Sequence, residues 1–209
     1  NVAIGTPVTS DNCSVASVTN DHVSTTYPLG TTTVVWTVTD GSGNTATASQ
    51  TVTVRDAQAP AITAPVNMTV STDAGSCSAT VASLGTPVTS DNCSVASVTN
   101  NHSSSTYPKG VTTVIWTVTD GSGNTATASQ TVTVNDNEAP VVTPTANVSV
   151  PTATGLCTAS VAITDAVAAD NCSVAGISYV MSGATVKAST SGQVGTYTFN
   201  RGVTTITYT

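Results

Sequence analysis

The residues able to do chemistry are few: five cysteines, two histidines and eleven carboxylates in 209 residues. A hydrolytic triad or a histidine metal site needs an imidazole in every working copy. His22 and His102 occupy equivalent loop places, and no third histidine follows. The carboxylates are scattered singly over turns, so no pair for acid–base work is expected, and zinc would need four close ligands where each stretch offers two cysteines. No enzymatic activity is expected of these residues. The cysteines carry a different message, because their spacing is regular. Cys13, Cys93 and Cys172 each sit in an Asp-Asn-Cys-Ser-Val-Ala segment, and Cys77 and Cys157 precede the second and third of these by 16 and 15 residues. That spacing predicts two disulfides, Cys77–Cys93 and Cys157–Cys172, and gives Cys13 a partner outside the chain, a few residues ahead of Asn1. A ring of that size stabilises by about 3 kcal/mol in the chain-entropy treatment. Structural disulfides at fixed positions point to an oxidising, extracellular compartment.

The cysteine spacing reflects a repeat. Residues 5–54 return as 85–134 with differences only at Asp21/Asn101, Val23/Ser103, Thr25/Ser105, Leu29/Lys109, Thr31/Val111 and Val35/Ile115. A looser third copy carries Asp170-Asn171-Cys172 and ends in the strand after Gly202. A period of about eighty residues is longer than a helical solenoid unit and suits tandem sandwich domains. With 7% charged and 4% aromatic residues, and Thr, Val, Ser and Gly almost everywhere, the chain reads as all-β. A net charge of −7 with four cations disfavours nucleic acid and anionic lipid, which are bound by neutralising phosphates. No apolar run reaches the eighteen or so residues of a membrane helix, so membrane insertion is not expected.

The elements that position these residues are clearest in the middle repeat. Residues 61–70 read as an edge strand broken by Pro65. The turn Asp73-Ala74-Gly75-Ser76 leads to a short strand through Cys77, and a return segment 85–89 should bring the Asp91-Asn92-Cys93 corner back beside Cys77. The strongest signal is the hairpin 112–134 around Asp120-Gly121-Ser122-Gly123-Asn124. Val114, Trp116 and Val118 fall on one face, matched by Ala126, Ala128, Val132 and Val134 across the hairpin. Six or seven strands in about eighty residues predict an immunoglobulin-like β-sandwich. The expected domains are 1–57, lacking its first strand and first cysteine; 58–137, complete; and 138–209, truncated before its last strand. The 209 residues then read as a window in a longer repetitive chain. The third copy also carries thirteen extra residues around 177–187, expected as a hairpin added on the flank.

The Asp-Asn-Cys corner, Tyr-Pro-(Leu/Lys)-Gly-(Thr/Val)-Thr-Thr-Val, and Trp-Thr-Val-Thr-Asp-Gly-Ser-Gly-Asn-Thr-Ala-Thr-Ala together resemble the hyalin repeat (HYR), an immunoglobulin-like module associated with adhesion. Many members of that family carry cysteines where this chain has Trp36 and Trp116, and Ala48 and Ala128. The resemblance therefore implies that Trp packed over Ala replaces a second disulfide. Near-identical tandem copies also resemble the long surface adhesins of bacteria, including the mobile adhesin filaments of gliding bacteria. Val-Asn-Asp-Asn-Glu-Ala-Pro at 134–140 resembles the calcium-binding linker of cadherins. Asp91, Asp136, Asn137 and Glu138 are accordingly expected to gather hard oxygen ligands for calcium at the second junction, with Asp11 and Asp56 as a thinner set. No other cofactor is expected.

Short, proline-containing linkers at 55–60 and 135–140 limit swing between repeats, so an extended, semi-rigid rod is expected, each repeat adding about 40 Å. These features predict a stalk or filament segment of a secreted surface adhesin, serving attachment or gliding. Its expected partners are neighbouring repeats of the same longer chain, surface glycans or other adhesin chains. The alternative is a spacer or carbohydrate-contacting module on a secreted enzyme.

Overall fold

The computed structural model describes residues 2–209, and every regular element among them is a β-strand. The first repeat holds β1 (Val15–Asn20), β2 (Gly30–Asp40) and β3 (Thr45–Val54). The second holds β4 (Ala61–Thr63), β5 (Met68–Ser71), β6 (Ser78–Thr80), β7 (Val88–Ser90), β8 (Val95–Asn100), β9 (Thr106–Pro108), β10 (Gly110–Asp120) and β11 (Thr125–Asn135). The third holds β12 (Val141–Thr143), β13 (Thr158–Ala162), β14 (Val167–Ala169), β15 (Ser178–Gly183), β16 (Lys187–Ser191), β17 (Thr196–Asn200) and β18 (Thr204–Tyr208). By contact the chain divides into two compact units. One is Asn1–Thr63, Pro87–Thr99 and Trp116–Ala128; the other is Ala64–Thr86, Asn100–Ile115 and Ser129–Thr209. The second repeat thus contributes residues to both.

In the first unit, β1, β2 and β3 form an antiparallel sheet in that order. The β2–β3 hairpin pairs without a slip from Thr39↔Thr45 to Gly30↔Val54. Its turn is built from side-chain chemistry: the Asp40 carboxylate accepts the backbone N–H groups of Ser42 and Asn44, each at 2.8 Å, and Gly43 takes a φ of 90° that a Cβ would strain. Asp120 repeats this with Ser122 and Asn124 at 2.9 and 2.7 Å. Trp36 lies directly opposite Ala48, as the replaced cysteine pair implied, and its indole N–H donates to Gln50 at 3.0 Å. In the same unit β4 pairs with β7, Ala61 facing Ser90.

In the second unit β5 pairs parallel with β11, from Met68↔Val132 to Ser71↔Asn135. The first strand of the repeat is therefore divided at Pro65, where the missing N–H releases the chain from one sheet and lets it enter the other. A four-stranded sheet runs β5-β11-β10-β8 and β6 pairs with β9, an all-β arrangement of the immunoglobulin-like kind expected. Val114, Val132 and Val134 are buried as the alternation of the hairpin required, each contributing about 1.5–3 kcal/mol. Gln130 stands in the same register and is fully buried, its amide donating to the carbonyls of Val66 and Leu84 at 2.8 and 2.9 Å. The third repeat has its own apolar cluster of Tyr179, Met181 and Val194, with Ile163, Tyr197 and Phe199 packed on it. The extra residues do form a hairpin, β15–β16, but not merely on the flank. β15 also pairs with β18 and delivers Tyr179 and Met181 to the core, so the insertion is structural.

Candidate functional site at the repeat junctions

Each junction is assembled from a linker and the Asp-Asn-Cys corner of the repeat that follows it. The corner is a local device, since its aspartate accepts the N–H groups two and three residues on and fixes the cysteine. Asp91 does this for Cys93 and Ser94 at 2.8 and 2.9 Å, Asp170 for Cys172 and Ser173 at 2.9 and 3.1 Å, and Asp11 for Cys13 and Ser14 at 2.8 and 3.0 Å. At the second junction Asp136 joins Asp170 and Cys172, their ligand atoms within 4.8 Å of one another. Lys109 Nζ donates to Asp136 Oδ2 at 3.0 Å. That hydrogen bond, outweighing partial burial, holds the Asp136 carboxyl below the usual carboxylate range, with further help from Glu138 N–H and Asn171. The corner also grips the preceding repeat: Asn171 donates to the Ser76 carbonyl at 2.8 Å, and Gly75 N–H donates to Glu138 at 2.9 Å. Cys77 is bonded to Cys172, 95 residues away.

At the first junction Asp56 joins Asp91 and Cys93 within the same 4.8 Å limit. Asn92 donates to Asp56 Oδ1 at 3.2 Å and Asn124 donates to the Asp56 carbonyl at 3.3 Å. Asp56 Oδ2 and Asp91 Oδ1 are buried and accept no hydrogen bond. The residue equivalent to Lys109 is Leu29, so this acidic pair lacks the cation that its counterpart has. Burial pushes the Cys93 thiol up, reinforced by its hydrogen bond with Asp56 and by the charges of Asp56, Asp91 and Asp120.

Two sequence expectations are corrected here. The pairings Cys77–Cys93 and Cys157–Cys172 do not form. Cys77 pairs with Cys172, and Cys13, Cys93 and Cys157 are exposed thiols. Strand direction explains the difference. β7 pairs with β4, which directly follows linker 55–60, so the corner at Cys93 belongs to the linker that enters the repeat. β5 runs parallel with β11 and Thr72 N–H donates to the Asn135 carbonyl at 2.9 Å, so the turn before Cys77 belongs to the linker that leaves it. A turn cysteine therefore meets the corner of the next repeat. The same logic breaks up the expected calcium set: Asp91 is joined by Asp56, while Asp136 is joined by Asp170. Asn137 is engaged with Ser71 at 2.9 Å, Glu138 is held by Gly75, and Asp11 belongs to no acidic cluster among the described residues.

Several participants escaped sequence reasoning. Asp170 and Asn171 were visible as the third Asp-Asn-Cys copy, and Lys109 as one of the six positions at which the two copies differ. The histidines are not simply solvated: His22 stacks on Tyr27 and His102 on Tyr107, with ring centroids 4.4 and 4.2 Å apart. Tyr107 is 1% exposed, and burial raises the pKa of its phenol.

Fold and junctions together define a class, an all-β protein of tandem repeats with acidic junctions, the second of which carries a disulfide. Residues 55–134 match the family model of the HYR domain. Over 193 residues the chain is 34% identical to Hyalin of Strongylocentrotus purpuratus, an alignment covering 88% of this chain and 15% of that protein. The chain thus spans 15% of the length of this relative. Among solved structures it is similar to the protocadherin gammaB7 EC3-6 cis-dimer structure, at 17% identity and a TM-score of 0.35 over 82% of this chain and 49% of that one. It is also similar to extracellular cadherin domains 1-4 of protocadherin Gamma B7, at 13% identity and a TM-score of 0.34 over 86% and 56%. No helix among the described residues is long and apolar enough to cross a membrane.

Proposed function

We propose that this chain is a segment of an extracellular stalk or filament belonging to a cell-surface adhesin, whose repeats supply reach and stiffness for attachment or gliding. The observation that carries this reading is the Cys77–Cys172 bond, which fastens the turn of one repeat to the corner of the next and adds a second tie beside the short linker. Three further contacts brace the same junction: Lys109 to Asp136, Asn171 to Ser76, and Gly75 to Glu138. The HYR match and the similarity to Hyalin support an adhesive, extracellular setting, as does a structural disulfide. Negative-stain imaging of the native particle tests it. Long beaded fibres are expected, whereas a compact globule with a short tail would favour an accessory module on an enzyme.

A second proposal concerns calcium, and one observation favours the first junction over the second. Asp56 Oδ2 and Asp91 Oδ1 are buried without a donor, whereas Asp136 is already neutralised by Lys109. Two carboxylates fall short of the six to eight oxygens calcium prefers, so backbone carbonyls and water would complete the shell. Millimolar calcium should raise the melting temperature of the wild-type chain and leave Asp56→Asn unchanged; equal curves for wild type with and without calcium would remove the proposal.

A further inference from the structure

The three unpaired cysteines are unequal in kind: Cys157 is a turn cysteine, and Cys13 and Cys93 are corner cysteines. The turn around Cys157 reproduces the backbone hydrogen bonds of the one around Cys77, although the Asp73 carboxylate that accepts from Thr80 is replaced by Ala153. Asp73 N–H donates to the Ser78 carbonyl at 2.8 Å, and Ala153 N–H to Thr158 at 2.9 Å. Ser76 N–H donates to Asp73 at 2.9 Å, and Leu156 N–H to Ala153 at 3.0 Å. Gly75 and Gly155 have φ of 69° and 76°. Lys109 N–H donates to the Cys77 carbonyl at 3.1 Å, and Arg201 N–H to the Cys157 carbonyl at 2.9 Å. The corner at Cys13 likewise repeats the hydrogen bonds of the corner at Cys172.

We infer that the face formed by Cys157, Gly155 and Arg201 is a preformed docking surface for the Asp-Asn-Cys corner of another repeat, closed by a disulfide. The occupied copy of this surface shows what each part does. Gly75 N–H receives an acid of the incoming linker, Lys109 pairs with the linker aspartate, and Cys77 takes the corner sulfur. Arg201 stands where Lys109 does and supplies the same positive charge, complementary to the acidic corner. Cys157 is exposed, a Cβ built on Gly155 would meet nothing within 4 Å, and Leu156 is 61% exposed as an apolar edge that a docked repeat would cover. In a solution of this chain, the corner comes from Cys13 or Cys93 of a second copy. Closure needs a disulfide oxidant. The Cys157 thiolate attacks oxidised glutathione and releases one glutathione thiolate, and the corner thiolate then attacks Cys157 Sγ and releases the second. Two thiols are oxidised and one glutathione disulfide is reduced to two thiols. The inference rests on repeat-to-repeat stapling and not on the length of the stalk.

The test is incubation of the full chain in a glutathione redox buffer, followed by alkylation, non-reducing electrophoresis and mass mapping of linked peptides. Covalent dimers and longer oligomers are expected, joined Cys157 to Cys13 or Cys157 to Cys93, and Cys157→Ser should abolish them. Arg201→Glu, which keeps its backbone hydrogen bond, should slow the linkage several-fold while leaving the melting curve unchanged. Cys157 linked mainly to Cys157, Cys157 recovered as alkylated thiol, oligomers persisting in Cys157→Ser, or an unchanged rate in Arg201→Glu would each overturn the inference.

Discussion

Removing Cys172 separates the two disulfide arrangements with one melting experiment. The observed bond closes a loop of 95 residues, which the chain-entropy treatment values at about 4.7 kcal/mol at 25 °C. A bond from Cys77 to Cys93 would close only 16 residues, and the same treatment gives about 3 kcal/mol. For a chain of this size each kcal/mol moves the midpoint by roughly 2–4 °C, so Cys172→Ser should lower it by roughly 9–19 °C as an upper bound. Cys77→Ser should do the same, and the double variant should cost no more than either single one, because both remove one bond. Cys93→Ser should leave the midpoint within about 2 °C, since no bond is lost. Differential scanning calorimetry under oxidising conditions reads all four. A large loss in Cys93→Ser with little change in Cys172→Ser would refute the inter-repeat assignment.

Other consequences can be checked as directly. Asp56→Asn should speed alkylation of Cys93 by iodoacetamide, because it removes a negative charge that holds the thiol protonated. Acid stability should hold to unusually low pH. Hydrogen bonds from Asn44 depress Asp40; for Asp120, burial pushes up but is outweighed by hydrogen bonds from Asn124; Lys109 depresses Asp136. Groups depressed on folding contribute fully above the unfolded value near 3.8. That contribution fades only as pH falls through the lower folded values, so circular dichroism should show the loss below pH 3.8, and Lys109→Leu should move it upward. Gln130→Ala should cost about 1–3 kcal/mol in chemical denaturation, because the Val66 and Leu84 carbonyls lose their donor in a dry site. Tyr107→Ala should cost about 3–5 kcal/mol, and Tyr27→Ala less, because Tyr107 is 1% exposed while Tyr27 is only half-buried.

What could be read from the sequence was whatever is set locally. Alternation along 112–134 identified Val114, Trp116 and Val118 as core, and all three are buried. The Asp-Gly-Ser-Gly-Asn turn followed from short-range chemistry in the same way, whereas the Trp36 and Ala48 pairing came from the resemblance to the hyalin repeat. The cysteine connectivity did not, because nearness in sequence says nothing about which linker a residue accompanies. That depends on the break at Pro65, which sends β4 to β7 and β5 to β11, two pairings with partners far along the chain. The acidic sets were misassigned for the same reason. Once the corner belongs to the entering linker, Asp56 must meet Asp91 and Asp136 must meet Asp170. Gln130 was legible in principle, since it occupies the apolar register between Ala128 and Val132, but polarity argued against burial until its two carbonyl partners were seen.

The most direct test of the proposed stalk is small-angle X-ray scattering of the oxidised chain. Three repeats of about 40 Å each, set end to end, would make a rod of about 120 Å, whose radius of gyration is about 35 Å. A globule of 209 residues would instead give about 17 Å. The account predicts a value near the first figure that is unchanged by concentration when Cys157 is blocked; a value near the second would contradict it.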